Sequence, residues 1–585
     1  MLFCLFAFTA HAQRPYTLHI KANGKDSLLL ARQFSYRKDF PDTLSRRKEV
    51  EQLMRRLYDA GYLEAAPLSL HVDSLQLIVH LHIGSQWKWV TLRPGNVDPL
   101  VLRRAGFRLS DFTGKPVSPS AVFELLEGLV AHCENHGYPF AVATLDSLRA
   151  DSSGLHAALS LNLRQRIQLE GIDLNGNVRI STSFLEGYLG LNLPQPYKES
   201  LILQAGQRLQ QLPYLTLTAA PQVLFVQDRA RLVLALQRKN ASRVNVVLGL
   251  LPNSLPGGRL LLTGEADLDL RNSFGRGEQL RFSFSRLNTR SAQTLLQGEY
   301  PYPFRLPFGA EGSFYLLRND SQYVDVRLRG GVKYFFDANR FVRFYAGRNT
   351  VSIISLDTMQ IIQTLKLPPY LDSRESLLGA ELFYRQGAAD GISKGWMVQL
   401  GGQVGNRRIV PNATITQLHD PEHPQFSFAS LYDSFPQQQP RLLVQGQVEG
   451  ILPVFPRQSL RLVYAGAYQD APTLLLSDLF RLGGFQRLRG FDELSIFASH
   501  YHLVTAEYRV VLLGRSYLYG FLDGAYVENR LEQPPVRDWP LGFGAGISFE
   551  TKSGLFGVNY AVGRQRGNPI QFRSAKIHFG YINYF

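Results

Sequence analysis

The hydrophobic pattern of this chain changes character near residue 240. Up to that point stretches of helical spacing alternate with short strand-like runs, and one arrangement recurs about three times at a spacing near 75 residues. Each unit reads as a strand, one or two helices, then two strands. In the first, Tyr16 to Ile20 alternates, and Thr43 to Ala60 places Val50, Leu53, Leu57 and Tyr58 at helical spacing before Gly61, a C-cap signal. Ser69 to Asp73 and Leu75 to His82 then form a strand pair. In the second, Trp87 to Leu92 opens, Ser118 to His136 is helical and stops at Gly137, and Ala141 to Leu163 supplies a hairpin. In the third, Arg166 to Leu174 opens, Lys198 to Leu212 is helical, and Gln222 to Gln237 closes the unit. The phrases Tyr58-Asp59-Ala60-Gly61-Tyr62 and Glu134-Asn135-His136-Gly137-Tyr138 occupy equivalent places.

Beyond residue 240 the helical period disappears and long period-2 segments begin. Val324, Val326 and Leu328 share one face of a strand whose other face holds Asp325, Arg327 and Arg329. Glu265, Asp267, Asp269 and Arg271 lie opposite Ala266, Leu268 and Leu270. A soluble sandwich would alternate in the same way, so strand number and length decide. About sixteen strands are expected, an even number suited to an outer-membrane barrel, and each has residues enough to cross a bilayer. Three connections are too long for hairpin turns: Leu356 to Arg374, Arg408 to Pro440 and Asp470 to Ser499. Others, such as Lys552-Ser553-Gly554, are tight. One rim of long loops and one of short turns is the asymmetry of such barrels.

Composition narrows the picture. No window supplies the roughly 18 uncharged apolar residues of a spanning helix, so entry into a membrane requires a closed sheet. The 27 Tyr and 37 Phe suit interfacial girdles. The net charge of +15 is spread through both parts of the chain and accompanies no nucleic-acid-binding motif. Contact with anionic headgroups and a solvated periplasmic surface explain it better. Residues 1–12 read as the end of a secretory signal, with Ala10-His11-Ala12 as the cleavage site. Processing would remove Cys4 and leave Cys133 as a small buried hydrophobe in a helix.

Little suggests chemistry. His419-Asp420-Pro421-Glu422-His423 lies in a proline-bearing loop and makes a poor metal site, and Gly542-Phe543-Gly544-Ala545-Gly546 sits in a strand, where small inward residues make room in a lumen. No nucleophile elbow or zinc-protease motif is present, so an enzyme is not expected and no cofactor is implied.

Three elements together carry a family resemblance: the tandem α/β units, the loop Leu488-Arg489-Gly490-Phe491 preceded by Gly483-Gly484, and Phe521-Leu522-Asp523-Gly524 on a later strand. With them the chain resembles the BamA/TamA superfamily of outer-membrane assembly proteins, a surface-antigen type of barrel found in Gram-negative bacteria. The resemblance implies three periplasmic POTRA-like units over 13–84, 85–165 and 166–240, then an all-β barrel over 241–585 whose loop 471–499, between strands 11 and 12, folds inward. Strand parity supports it. Leu518, Leu522 and Tyr526 form an apolar face, so Asp523 points inward; Val504, Ala506, Tyr508 and Val510 face lipid, so Glu507 and Arg509 point inward. Arg489 is expected to pair with Asp523 and Glu507, Gly490 to allow close approach or a positive φ, and Phe491 to pack on the wall.

The resemblance further implies a lateral seam between the first and last barrel strands. Val244, Val246, Leu248 and Gly249 lie on the first, with Pro252 just beyond. Ile577, Phe579, Gly580, Tyr581 and the terminal Phe585 lie on the last, where Asn583 departs from the apolar parity. The expected function is receipt of unfolded outer-membrane or secreted clients on POTRA sheet edges and their insertion or passage at the seam. Partners would be those clients, the lipid bilayer and periplasmic assembly proteins, with no nucleic acid. Three units are most similar to the TamA-like branch. A two-partner-secretion transporter and a passive solute porin are the alternatives.

Overall fold

The computed structural model describes residues 16–73, 75–251, 261–286, 290–387, 393–485, 487–551, 554–567 and 570–584. The expected signal segment, Pro252 and Phe585 lie outside the described residues. The chain divides into two compact units: Met1–Gly171 with Pro194–Ile202 and Val223–Leu232, and Ile172–Leu193 with Leu203–Gln222 and Val233–Phe585.

The front α/β units follow from capped amphipathic helices laid on small sheets. In the first, Asp42 caps the helix Thr43–Asp59 by accepting from the Ser45 backbone N–H at 2.6 Å. Leu53 and Leu57 are buried with Leu18, Val79 and Leu81. The sheet order is Asp39–Phe40, Tyr16–Ala22, Gln76–His82, Ala66–Val72, with the middle pair parallel. In the second unit Ser118 caps the helix Pro119–Glu134, and Pro119 sits where a missing N–H costs nothing. Its buried face, Leu125, Leu129 and Cys133, lies over the strands Trp89–Arg93, Gly154–Asn162 and Val142–Asp151. A third sheet is built on Gln168–Gly176 and Arg229–Arg238. Each unit also holds a short helix, Lys25–Gln33, Pro99–Arg104 or Thr182–Leu189.

The last of these helices clusters with the barrel. Phe184 and Tyr188 pack edge-on against Tyr302 in the turn between Ala292–Pro301 and Phe308–Asn319, at ring separations of 5.7 and 5.8 Å. Arg305 of the same turn reaches Glu186 at 2.9 Å.

The barrel closes through sixteen antiparallel strands, numbered here 1 to 16 from Arg243–Leu251 to Lys576–Tyr584; the short Val536–Asp538 extends the pairing of strand 13. Period-2 alternation sorts the side chains. On strand 6, Tyr323–Asp337, Leu328 is exposed on the outer face while Asp325 is buried inside, bonded to Arg327 at 2.6 Å. Strand 1 pairs with strand 16 from Arg243↔Tyr584 to Leu250↔Ile577, so the seam is a continuous ladder despite its glycine. Long connections separate Ile353 from Ser373, Ile409 from Gln439 and Asp470 from His500. They meet in an apolar cluster that includes Ile361, Ile415, Phe428 and Leu475. No described helix is long and apolar enough to cross a membrane.

Leu129 is fully buried. Leu129→Ala should cost about 2–5 kcal/mol in the second α/β unit. The change should appear as a lower urea midpoint for Trp87 and Trp89 fluorescence while the barrel keeps its heat-resistant gel mobility. Simultaneous loss of both signals would show that unit and barrel unfold together.

Candidate functional site

The connection between strands 11 and 12 turns back into the lumen. Its two arms pair as short strands, Phe480–Leu482 with Ile496–Ala498, which presents residues between them as a folded tip. Gly483 and Gly484 take φ of +109° and +107° at the entrance to that tip, a region that disfavours side chains. Leu488 adopts φ of 60° although it is not glycine, and is held there by complete burial.

The next residue enters a carboxylate cage. Arg489 Nε donates to Asp523 Oδ2 at 2.8 Å, Nη2 to Asp523 Oδ1 at 2.9 Å, and Nη1 to Glu507 Oε2 at 2.7 Å. The Arg489 backbone N–H also donates to Asp523 Oδ2, at 2.9 Å. Its guanidinium lies 3.5 Å from the centre of the Phe521 ring. Arg509 shares Glu507, with Nη2 at 2.6 Å from Oε1. Two guanidiniums therefore meet two carboxylates, all four residues being buried. The register explains the convergence: Glu507 of strand 12 is opposite Phe521, and Asp523 of strand 13 is opposite Thr505.

Close backbone approach completes the site. Gly490 has φ of +94°, and a Cβ there would stand 2.6 Å from the Val562 carbonyl carbon. A Cβ on Gly563 of strand 15 would stand 2.6 Å from the Gly490 carbonyl oxygen, and one on Gly542 of strand 14 would collide with the Arg489 carbonyl oxygen. Phe491 is buried with Leu488, Ala498, Leu503 and Ala525. Gly524 faces open contact, its would-be Cβ 3.7 Å from Leu541. It has no such steric role.

Further tethers hold the loop across the lumen. Arg481 donates to Asn319 Oδ1 and Tyr323 Oη at 2.9 and 2.6 Å. Asp478 accepts from Arg407 at 2.5 Å and from Arg441 at 3.2 Å. Asp492 pairs with Lys576 of strand 16 at 2.5 Å, and Phe485 lies 5.6 Å from the His578 ring. Parity reasoning did not single out these residues. Gly563 was also missed, and its only signal was a small residue at an inward position.

At the seam, Val244 faces Asn583, Val246 faces Tyr581, Leu248 faces Phe579, Val247 faces Gly580 and Gly249 faces His578. Leu248, Ile577 and Phe579 are exposed on the outer surface, whereas Val247 and His578 are buried within. Outside the lumen, His423 bonds Asp420 at 2.8 Å. Burial pushes the Cys133 thiol above its ordinary value.

No protein-family model matches the chain, and no curated protein matches it. Among solved structures, CdiB from Escherichia coli is similar with a TM-score of 0.54 at 12% identity, over 92% of this chain and 98% of that one. CdiB from Acinetobacter baumannii has a TM-score of 0.53 at 14% identity, over 92% and 97%. BamA from Haemophilus ducreyi lacking POTRA domains 1–3 has a TM-score of 0.47 at 14% identity, over 85% and 99%. The two CdiB likenesses run through both the α/β region and the barrel, and this chain shares their fold.

Breaking a buried pair leaves an unpaired charge, so Asp523→Asn should weaken loop anchoring by about 3–5 kcal/mol and open the loop to trypsin in the folded barrel. Combining Arg489→Asp with Asp523→Arg should restore the pair and part of the protection, the rescue being limited by repulsion between the new carboxylate and Glu507. A double variant no more protected than either single would refute the pairing. Gly542→Val should release the loop with every charge intact, read by the same digestion.

Proposed function

We propose that this chain is an outer-membrane assembly and translocation factor of the BamA/TamA superfamily, with its α/β units in the periplasm. The observation that carries this reading is the combination in one chain of tandem α/β units and a closed sixteen-stranded barrel, its lumen crossed by a loop caged through Arg489, Asp523 and Glu507. Three α/β units support the TamA-like branch. A passive porin would leave those units without a role.

Client reception falls to the free sheet edges. The strand Ala66–Val72 is an edge exposed along its whole length, with Leu68, Leu70 and Val72 on one parity. The edge strand Val142–Asp151 exposes Val142 and Leu148, and Gln222–Val226 exposes Leu224 and Val226. Unpaired backbone groups flanked by alternating apolar side chains accept an extended polypeptide as an added strand. The clients are unfolded outer-membrane or secreted chains, received with or without periplasmic assembly partners. No cofactor, nucleic acid or enzymatic step is required.

Release into the bilayer uses the seam. Eight residue pairs join strands 1 and 16, as many as join strands 2 and 3, and strands 15 and 16 share seven. What sets this junction apart is that its strands are the first and last of the barrel, so no turn joins them and they can part without straining a hairpin. Its outer apolar residues already face lipid, so an entering strand meets a surface that matches it.

Val246→Cys combined with Tyr581→Cys joins facing positions. Oxidation should abolish client insertion in proteoliposomes, and a reductant should restore it. Full activity in the locked barrel would exclude the lateral route and favour passage through the lumen, as in a two-partner-secretion transporter.

A further inference from the structure

The ion pairs that brace the lumen do not use all of its arginines. Two of the cavities that flank the inward loop are rich in arginine. One, of about 380 Å³, is lined by five arginines and three carboxylates. The other, of about 500 Å³, is lined by five arginines and two carboxylates, with Asp523 behind Arg489 as a third. By this count each cavity has two more guanidiniums than carboxylates, with Glu493 set behind Phe485 of the second.

The excess falls on particular residues. Among the described residues, Arg329 and Arg481 in the first cavity, and Arg487 and Arg515 in the second, have no carboxylate within ion-pair distance. They are held by neutral groups instead. Arg481 donates to the Tyr323 hydroxyl at 2.6 Å, Arg487 to that of Tyr501 at 3.3 Å, and Arg515 to that of Tyr584 at 3.0 Å. Arg329 donates to Gln403 Oε1 at 3.4 Å and lies over the Tyr345 ring. A hydroxyl or amide oxygen positions a guanidinium without cancelling its charge. Arg329 Nε and Arg515 Nε, one in each cavity, are buried donors with no hydrogen-bond partner among the described residues. A charge drawn out of water costs several kcal/mol unless a counter-charge joins it; Arg329, Arg481 and Arg515 are half-buried, whereas Arg487 is exposed. Planar guanidinium forks with free N–H groups match the paired oxygens of a phosphate, and a dianion balances the charge of each cavity.

We propose that the barrel lumen binds phosphate-type oxyanions, one cavity through Arg329 and Arg481 and the other through Arg487 and Arg515. The ligand is free phosphate or the phosphorylated sugar of an outer-leaflet glycolipid, since both present the same group. The inference needs only the closed barrel, so it stands or falls apart from client insertion.

The full chain, purified in phosphate-free non-ionic detergent, is titrated calorimetrically with inorganic pyrophosphate at low ionic strength. Saturable binding is expected, and Arg329→Gln with Arg515→Gln should weaken it about tenfold or more. Arg340→Gln, at a turn residue paired with Asp337, should leave it unchanged. Absence of binding to the unaltered chain, or equal affinity in the double variant, overturns the proposal. If the double variant loses its heat-resistant band, the unaltered chain decides the matter: phosphate must displace pyrophosphate at fixed ionic strength where nitrate does not, and equal displacement by nitrate overturns the proposal. Phosphorus released on denaturing protein extracted from membranes separates the sources, as inorganic phosphate or as glycolipid.

Discussion

The cage around Arg489 is the contact on which the interior arrangement depends. A guanidinium in a barrel lumen, with neither bulk water nor a carboxylate, would be severely destabilising, so the loop can fold inward only where partners already wait. Asp523 and Glu507 are those partners, fixed on adjacent strands by the ladder itself. Asp523 accepts from both the side chain and the backbone of Arg489. Position and charge are therefore specified together. A lysine would supply the charge without the fork that reaches both carboxylates.

Electrostatics alone would not bring the loop close enough. The contact is made backbone to backbone, through Gly490 on the loop and Gly542 and Gly563 on the wall. Removing side chains from both surfaces lets the guanidinium reach its acceptors at normal hydrogen-bond lengths. The remaining tethers distribute the load. Asp478 engages strands 9 and 10, Arg481 engages strands 5 and 6, and Asp492 engages strand 16. The loop is consequently a strut joining distant walls.

Period 2 is why the centre of this arrangement could be read from sequence. Once Leu518, Leu522 and Tyr526 are assigned to lipid, Asp523 has one remaining direction, and the same reasoning fixes Glu507. The tethers of Asp478, Arg481 and Asp492 were illegible because a loop has no period: where each side chain lands depends on the path of the whole excursion. The short helix Thr182–Leu189 was missed for a related reason. At eight residues it spans too few turns for a clear apolar stripe, and its buried face is defined by Tyr302 and Arg305, more than a hundred residues away. Gly249 does not interrupt the ladder between strands 1 and 16, because one glycine leaves the backbone donors and acceptors intact.

That ladder divides two separately braced walls. Strand 16 is held from inside by the loop, through Lys576 with Asp492 and through His578 beside Phe485. Strand 1 is held to strand 2, where Arg243 lies 3.6 Å from Asp269. Parting the seam gives up eight residue pairs and the outer pairing of Leu248 with Phe579, while each wall keeps its own ion pairs. The proposed lateral route would therefore leave the ion pairs of the lumen in place. The Arg489 cage therefore bears on the seam only indirectly, by fixing the strut that reaches Lys576 and His578 of strand 16.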